Sequence, residues 1–431
     1  MPKGEKEDDF IKEFVKVFLE HSYNNALFAY LALHLILGRC LYNVRIYKKR
    51  IWLDGRISFW YLSPPSSGKS TPYDFMFEVI KGLGECAEAV RAEDKIGMFD
   101  VDDTSDAMLI GYHEDDGKGK YIPGILDRGG VVHWDEAAML LGTSQYAEKL
   151  KGFLQKALNA IGSNSNVCNR EFKNDKVKIH PICSLYLTSY FPKELLEKVL
   201  GTGLFQRLLL LPKLLRTEDR RKNSFIDIDY LGTETTKEDL DVSYFINRFR
   251  ELSAKFNKRE LKFDYSEVKP VIRSCSNRLL DLSKNSSSNV RDLMETFQPR
   301  YMDQLYIIAM HHACIRGETK INVDDVTYAY GIIAGCYSAI LGWLEEEPDV
   351  NTSETSDNAY FSEVIRIFKK KNVVELPASE FLEECCKLWN RTDTAVKNRL
   401  KPMIQNAEQG HSGLVKTKKG SAVFYTLQIT K

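Results

Sequence analysis

The sequence predicts an α/β protein: an α/β domain, a helical unit and a small C-terminal domain of helices and strands. Three observations predict it. An apolar run, Phe59 to Leu62, breaks at Ser63-Pro64-Pro65, turns through Ser66, Ser67 and Gly68, and resumes at Lys69-Ser70-Thr71 as a helical pattern reaching Leu83. A second apolar run, Val131 to Trp134, ends in the paired carboxylates Asp135 and Glu136. From about 230 the apolar spacing becomes helical and stays so to 346, where a polar, acidic stretch opens onto a short unit of mixed periodicity.

Residues 9 to 40 read as helical, with Phe10, Ile11, Phe14, Val15 and Phe18 at i, i+3/i+4 spacing and Ala26 to Leu37 apolar enough to be buried. Tyr42 to Lys49 alternates like a short strand. Asp54-Gly55 marks a turn and Ile57 to Leu62 follows as a buried strand, so a hairpin is expected to feed the loop. Residues 96 to 133 read as β-rich, with a strand at Ala107 to Tyr112 and an acidic, glycine-bearing tip at His113 to Lys120. Residues 145 to 161 are helical. Arg170 to Ile179 reads as a basic hairpin carrying Arg170, Lys173, Lys176 and Lys178 around Asn174-Asp175. Ile182 to Leu187 is a buried strand ending at Thr188-Ser189, and Leu204 to Leu211 is another with Arg207 inside it. Arg300, after Gln298-Pro299, is expected to open a long helix.

The expected divisions are an N-terminal helical segment (1–44), the α/β domain (45–229), the helical unit (230–344), an acidic linker (345–358) and a winged-helix domain (359–431). The last is expected as helices 360–371, 379–390 and 392–405 with strands 413–417 and 422–428. The segment 358–431 holds 13 Lys and Arg against 7 Asp and Glu, so it is locally basic. Arg391, Lys397, Arg399 and Lys401 lie on or beside its third helix, and Lys416, Lys418 and Lys419 on its wing. A helix in the major groove with the wing on phosphates is the expected docking; a protein-contact role for the same module stays open.

Composition bounds the class. The 431 residues suffice for two or three domains, and 43% hydrophobic with 28% charged residues describes an ordinary globular chain. Lys+Arg and Asp+Glu both number 60, so any surface for nucleic acid must be local. No apolar run approaches bilayer-spanning length. The charged start, Met1 to Asp9, lacks the apolar core of a signal peptide, so the expected location is the cytoplasm, with no membrane partner. Nine scattered cysteines without a Cys-x-x-Cys argue for reduced thiols and against a zinc module.

The chemistry follows from the loop and the carboxylates. Backbone N–H groups of Ser63-Pro64-Pro65-Ser66-Ser67-Gly68-Lys69-Ser70-Thr71, with Pro64 and Pro65 lacking theirs, and the helix dipole converge on one point, which suits a phosphate. Lys69 would hold β/γ-phosphates and the Ser70 hydroxyl would ligate Mg²⁺, making ATP and Mg²⁺ the expected cofactors. Ser63 stands where G-x-x-x-x-G-K-S/T opens with Gly, and an ordinary turn containing Gly68 is the alternative. Asp135 would hold Mg²⁺ through water and Glu136 would activate the attacking water; the alternative is a helix start, where Asp-Glu is favoured. Thr188 and Ser189 would touch that water or the γ-phosphate, or are ordinary strand-end residues. Arg207 wants a carboxylate or phosphate partner, with a structural ion pair as the alternative. Arg300 reaches a phosphate or is a surface residue. His133 and Trp134 read as strand packing, and His311 and His312 show no ligand pattern.

In this order the motifs resemble the AAA+ core of minichromosome maintenance (MCM) helicases and their mobile-element relatives, over about residues 26 to 345. Leu53 to Ile57 leading into Pro65 to Ser70 is similar to the family's approach to its P-loop. Asp127-Arg128-Gly129-Gly130 into Val131 to Glu136 is similar to its lead into Walker B, and the stretch between the two to its inserted hairpin. The basic segment 170 to 179 resembles its pre-sensor-1 hairpin, which contacts DNA. Leu187 to Pro192 falls at sensor 1, Phe205-Gln206-Arg207 at the arginine finger, Pro299-Arg300 at sensor 2 and Val323 to Val326 in the lid that follows. Ser63 replaces Gly, sensor 1 lacks its Asn, no Asp follows Arg207, and a short helical segment stands in place of the family's N-terminal domain. The resemblance implies ATP-driven DNA translocation or unwinding in replication by a ring, a hexamer, with Arg207 and Arg300 supplied by the neighbouring subunit and replication proteins as further partners. A AAA+ initiator or loader using ATP as a switch, and a non-catalytic scaffold on the same fold, are the alternatives.

Overall fold

The computed structural model describes residues 7–22, 25–48, 51–63, 70–84, 97–101, 105–114, 119–135, 137, 145–171, 176–189, 203–212 and 242–345. C-terminal to these it describes 364, 367–368, 370–371, 373, 375–389, 396–397, 400–401, 404, 413–419 and 422–428. The chain divides into two compact units, Met1–Glu345 and Glu346–Lys431.

In the first unit, α1 (Glu7–Ser22) and α2 (Ala26–Cys40) are separate helices. Asn25 caps α2, its side-chain oxygen accepting the Phe28 N–H at 2.8 Å. The i, i+4 stripe Phe10, Phe14 and Phe18 packs on Phe28, on Phe75 of α3 (Ser70–Leu83), and on Phe245 and Phe249, with ring centroids 5.2 to 5.6 Å apart in the tightest pairs. Burying each such ring is worth roughly 1.5–3 kcal/mol. One continuous core therefore runs from Phe10 to Leu341, and the N-terminal helices share it with the α/β and helical parts instead of standing apart.

The expected hairpin forms with different partners. β1 (Arg45–Lys48) pairs antiparallel with β2 (Ile51–Asp54), Arg45 opposite Asp54. Both belong to a four-stranded sheet with β12 (Glu260–Phe263) and β13 (Lys320–Ile321), not to the sheet holding β3 (Phe59–Leu62). The chain changes sheets at Gly55, where a Cβ would lie 2.2 Å from the Leu41 carbonyl oxygen. Arg56 anchors the turn. Its guanidinium is bidentate to Asp54 at 2.8 and 2.9 Å and donates to the carbonyls of Ala157, Asn159, Pro181 and Cys183.

The main sheet has five parallel strands in the order β11-β3-β10-β7-β4. These are Leu209–Pro212, Phe59–Leu62, Ser184–Ser189, Val131–Trp134 and Met98–Val101. By appearance in the chain they run fifth, first, fourth, third, second. The three central strands are wholly buried, which is why they read as unbroken apolar runs. Gly129 and Gly130 carry φ of 88° and 79°, left-handed values that let the chain enter β7 beside Gly97.

Three elements differ from the sequence expectation. Ala107 to Tyr112 is mostly α4 (Asp106–Ile110), capped by Ser105 and stopped at Gly111. Only β5 (Gly111–His113) and β6 (Tyr121–Pro123) form a hairpin there. A short apolar run does not tell strand from buried helix. Arg207 closes a 3₁₀ turn, Phe205–Arg207, ahead of β11, not within a strand. Helices α5 (Ile125–Arg128) and α6 (Gln145–Ala157), then the hairpin β8 (Cys168–Glu171) and β9 (Lys176–Ile179), precede β10. Beyond α7 (Ser243–Phe256) come α8 (Tyr265–Leu282), α9 (Ser288–Ile315) and α10 (Val323–Glu345). Arg300 lies inside α9, which continues through Pro299. By length and composition α10 is apolar enough to cross a membrane, contrary to the reading of the sequence; half of its apolar window is buried against the rest of the unit.

In the second unit β14 (Glu375–Pro377), β16 (Ala422–Gln428) and β15 (Gly413–Lys419) form an antiparallel sheet, in that order. It shares a core of Val364, Phe368, Phe381, Val396, Leu400 and Tyr425 with α11 (Ala378–Trp389) and neighbouring helical residues.

Candidate functional site

The C-terminal edge of the main sheet gathers the polar residues expected at a phosphate site. Parallel register sets Ser189 beside Leu62 and Leu187 beside Trp134. Ser63 therefore follows β3 next to β10, its N–H donating to the Ser189 carbonyl at 2.9 Å. Asp135 follows β7, where it accepts a hydrogen bond from the Thr188 hydroxyl. Side chains alternate along a strand, so Ser189 points the other way, its Oγ accepting the Trp60 indole N–H at 2.9 Å. Thr188, not Ser189, thus reaches the Asp135 carboxylate. Ser70 and Thr71 open α3. Pro64, Pro65, Ser66, Ser67, Gly68, Lys69 and Glu136 lie outside the described residues.

A polar chain that the sequence reading did not anticipate ties α3 to this edge. Asp100 of β4 accepts hydrogen bonds from the Tyr73 hydroxyl and from His133 Nδ1, the latter at 2.7 Å. The His133 ring lies between Tyr73 and Tyr186, with centroids 4.4 and 4.9 Å away. Burial pushes the Asp100 carboxyl up, but the hydrogen bonds from His133 and Tyr73 outweigh it and hold the pKa below the usual carboxylate value. Burial, then the bond to Asp100, pushes the Tyr73 phenol up. His133 therefore does more than pack, whereas Trp134 is fully buried in the core. Among the described residues no group of three or more His, Cys, Asp or Glu could hold a metal ion. The donors present at the edge, Asp135 and the Thr188 hydroxyl, are oxygen ligands of the kind that suit Mg²⁺ through water.

Arg207 and Arg300 meet at the opposite, N-terminal edge of the sheet. There a cavity of about 1190 Å³ is lined by Arg56, Lys156, Lys178, Arg207 and Arg300 against two carboxylates, Asp54 and Asp303. Asp54 is taken by Arg56. Asp303 pairs with Lys48 at 2.5 Å and stands 3.7 Å from Arg300, beyond a hydrogen bond. Among the described residues Arg207 finds only neutral acceptors, the Gly203 carbonyl and Asn159 Oδ1 at 3.4 Å. Burial, and then the like charge of Arg300, lowers its pKa to about 10.

The hairpin cations are divided. Lys176 pairs with Glu171 at 2.7 Å, Lys178 lines the cavity, Arg170 is half-buried, and Lys173 lies outside the described residues. In the second unit Lys397, Lys401 and Lys418 are exposed; Lys419 ends β15; Arg391 and Arg399 lie outside the described residues.

No protein-family model matches the chain, and no curated protein matches it.

Proposed function

We propose that the chain is an ATP-dependent DNA translocase or helicase of the MCM-like AAA+ type. It combines a P-loop domain, a helical lid and a C-terminal winged helix, and works as a ring, a hexamer, in DNA replication. The observation that carries this reading is the strand order. The strand bearing Thr188 and Ser189 lies between the strand entering Ser63 and the strand ending at Asp135. A loop-bound phosphate, a carboxylate and a polar sensing residue then share one edge, as ATP hydrolysis with Mg²⁺ requires. Lys69 and Ser70 would hold the phosphates and Mg²⁺, Glu136 would activate water, and Thr188 would orient Asp135. Arg207 and Arg300, together on the far edge, would serve a neighbouring copy's nucleotide.

The test is ATPase activity with and without forked DNA, beside native mass measurement of the assembly. Lys69→Ala is expected to lose nucleotide binding at the loop, and Glu136→Gln to bind and trap ATP there. Wild-type turnover by Glu136→Gln removes Glu136 as the base and the reading with it.

A second reading, a AAA+ initiator or loader that binds duplex DNA through the second unit and switches on ATP, is favoured by one observation. Lys176 of the hairpin is already paired with Glu171, which leaves fewer cations to grip DNA. ATP binding without DNA-stimulated turnover selects it.

A further inference from the structure

We propose that the cavity at the N-terminal edge of the sheet is a binding site for a chain of phosphates, and that Lys156 and Lys178 belong to it together with Arg207 and Arg300. For the source of the phosphate this rests on the ring reading above, but the site itself is a property of one chain.

Charge balance in a confined space points to an anion. Five cationic side chains line the cavity, and its two carboxylates are engaged by Arg56 and Lys48. Neither Lys156 nor Lys178 has a carboxylate partner among the described residues. Two guanidiniums and two ammoniums therefore face one space in which, among the described residues, Asp303, already paired with Lys48 and 3.7 Å from Arg300, is the one carboxylate left to answer them beside amide and carbonyl oxygens. Such a set is stable with an anion between its members and repels itself without one. Gln304 lines the same space, its amide nitrogen reaching the Arg207 carbonyl at 3.5 Å; its unpartnered side-chain oxygen only accepts, so it faces the cations and does not bond the phosphate. Asn159 and Asn169 add neutral donors to the wall.

The number of cations selects the ligand. The cations arrive from α6, β9, the 3₁₀ turn and α9, and a triphosphate answers them with more negative charge than one orthophosphate and with oxygens spread along a line. Arg forks and Lys ammoniums are the residues suited to it. A nucleoside triphosphate and free tripolyphosphate share this chemistry.

Lys178 then belongs to the phosphate site and not to the DNA-contact set. It sits opposite Asn169 in the β8–β9 register, at the root of the hairpin, and both residues line the cavity. A phosphate drawn to Lys178 therefore pulls directly on the hairpin's base.

The experiment measures tripolyphosphate binding by calorimetry to the full chain carrying Lys69→Ala, which removes the loop lysine's contribution. Binding is expected there. Adding Lys178→Ala or Lys156→Ala should weaken it about tenfold, the loss of one charge-assisted contact, and Lys178→Arg should restore it. Single-stranded DNA affinity should stay within about twofold in Lys178→Ala, and its thermal unfolding should match that of the parent. No binding in the Lys69→Ala chain, or equal binding after Lys178→Ala, overturns the site. So does a loss of DNA affinity without loss of tripolyphosphate affinity. Repeating the titration with ATP separates the sources: tighter binding than tripolyphosphate identifies a nucleotide, equal binding the free oligophosphate. Because no turnover is measured, absent ATPase activity defeats the ring reading alone, and absent tripolyphosphate binding defeats this one alone.

Discussion

Acidification is expected to destabilise the first unit through a buried histidine pair. His34 of α2 and His311 of α9 are both fully buried, their Nδ1 atoms 3.1 Å apart. His311 Nε2 lies 2.7 Å from the Gly55 carbonyl, which only accepts, so that nitrogen carries the proton. With both rings neutral, His311 Nδ1 must accept from His34 Nδ1–H, and His34 Nε2 then accepts the Tyr328 hydroxyl at 3.1 Å. One pattern satisfies every atom, and an added proton has no acceptor. Burial holds His311 at about 4, and burial with the neighbouring histidines holds His34 well below its ordinary value.

The sign follows. Each folded-state pKa lies below the unfolded one, so the unfolded chain binds more protons as pH falls. The contribution is fully present above about 6.5 and is lost as pH drops towards 4, at up to ~1.4 kcal/mol per pH unit for each ring. For His311 alone, moving from pH 7.5 to 5 removes roughly 2 kcal/mol, a large share of the ~5–15 kcal/mol typical of a domain. The assay is urea unfolding followed by tryptophan emission, since Trp52, Trp60, Trp134 and Trp343 all lie in the first unit. The comparison chain is His311→Gln, whose amide can still donate to Gly55 and accept from His34 but does not titrate. Groups common to both chains cancel in the difference, apart from the part of the His34 depression that His311 itself causes. The wild type should lose about 2 kcal/mol more than His311→Gln across that range. Parallel losses would refute the assignment of neutral, proton-excluding histidines.

Other outcomes can be checked independently. Arg207→Ala should abolish ATPase activity, and mixing it with Glu136→Gln chains should restore some; full activity of Arg207→Ala alone would show that no finger is needed. Thr188→Val, which removes the hydroxyl that donates to Asp135, should lower turnover more than Ser189→Ala, whose Oγ only receives Trp60; equal effects would reverse that assignment. Deleting 358–431 should reduce duplex affinity and flatten its salt dependence, by roughly 0.9 in log–log slope per lost phosphate contact, while leaving nucleotide binding intact; unchanged duplex affinity would make the second unit a protein-contact module. Tyr73→Phe should leave the fold intact and return Asp100 towards ordinary titration, read by carboxyl NMR; an unchanged Asp100 would mean that His133 alone sets it.

What was legible in the sequence was what local pattern controls. β3, β7 and β10 are buried on both faces, so their residues are apolar without interruption and their ends coincide with Ser63, Asp135 and Ser189. β2 and β12 were missed because half-exposed strands of four residues carry patterns too short to separate from a helix turn. The 3₁₀ turn at Arg207 was invisible inside a leucine-rich run, since one tight turn leaves the apolar count unchanged. Pro299 suggested a helix start, where proline is favoured, yet α9 had already begun at Ser288 under the Ser287 cap. The Thr188–Asp135 contact depends on parallel register, and the cavity depends on four elements far apart in sequence; neither is encoded by any single stretch.

Strand direction nevertheless fixes one consequence that spacing could not. All five strands of the main sheet are parallel, so every residue following a strand lies at one edge and every residue preceding a strand at the other. Asp135 follows β7, whereas Arg207 precedes β11. The six residues of β10 between those edges span roughly 17 Å at ~3.3 Å per residue. An arginine side chain reaches less than half of that. If Arg207 acts on a phosphate held beside Asp135, the arginine and the carboxylate must therefore belong to different copies of the chain.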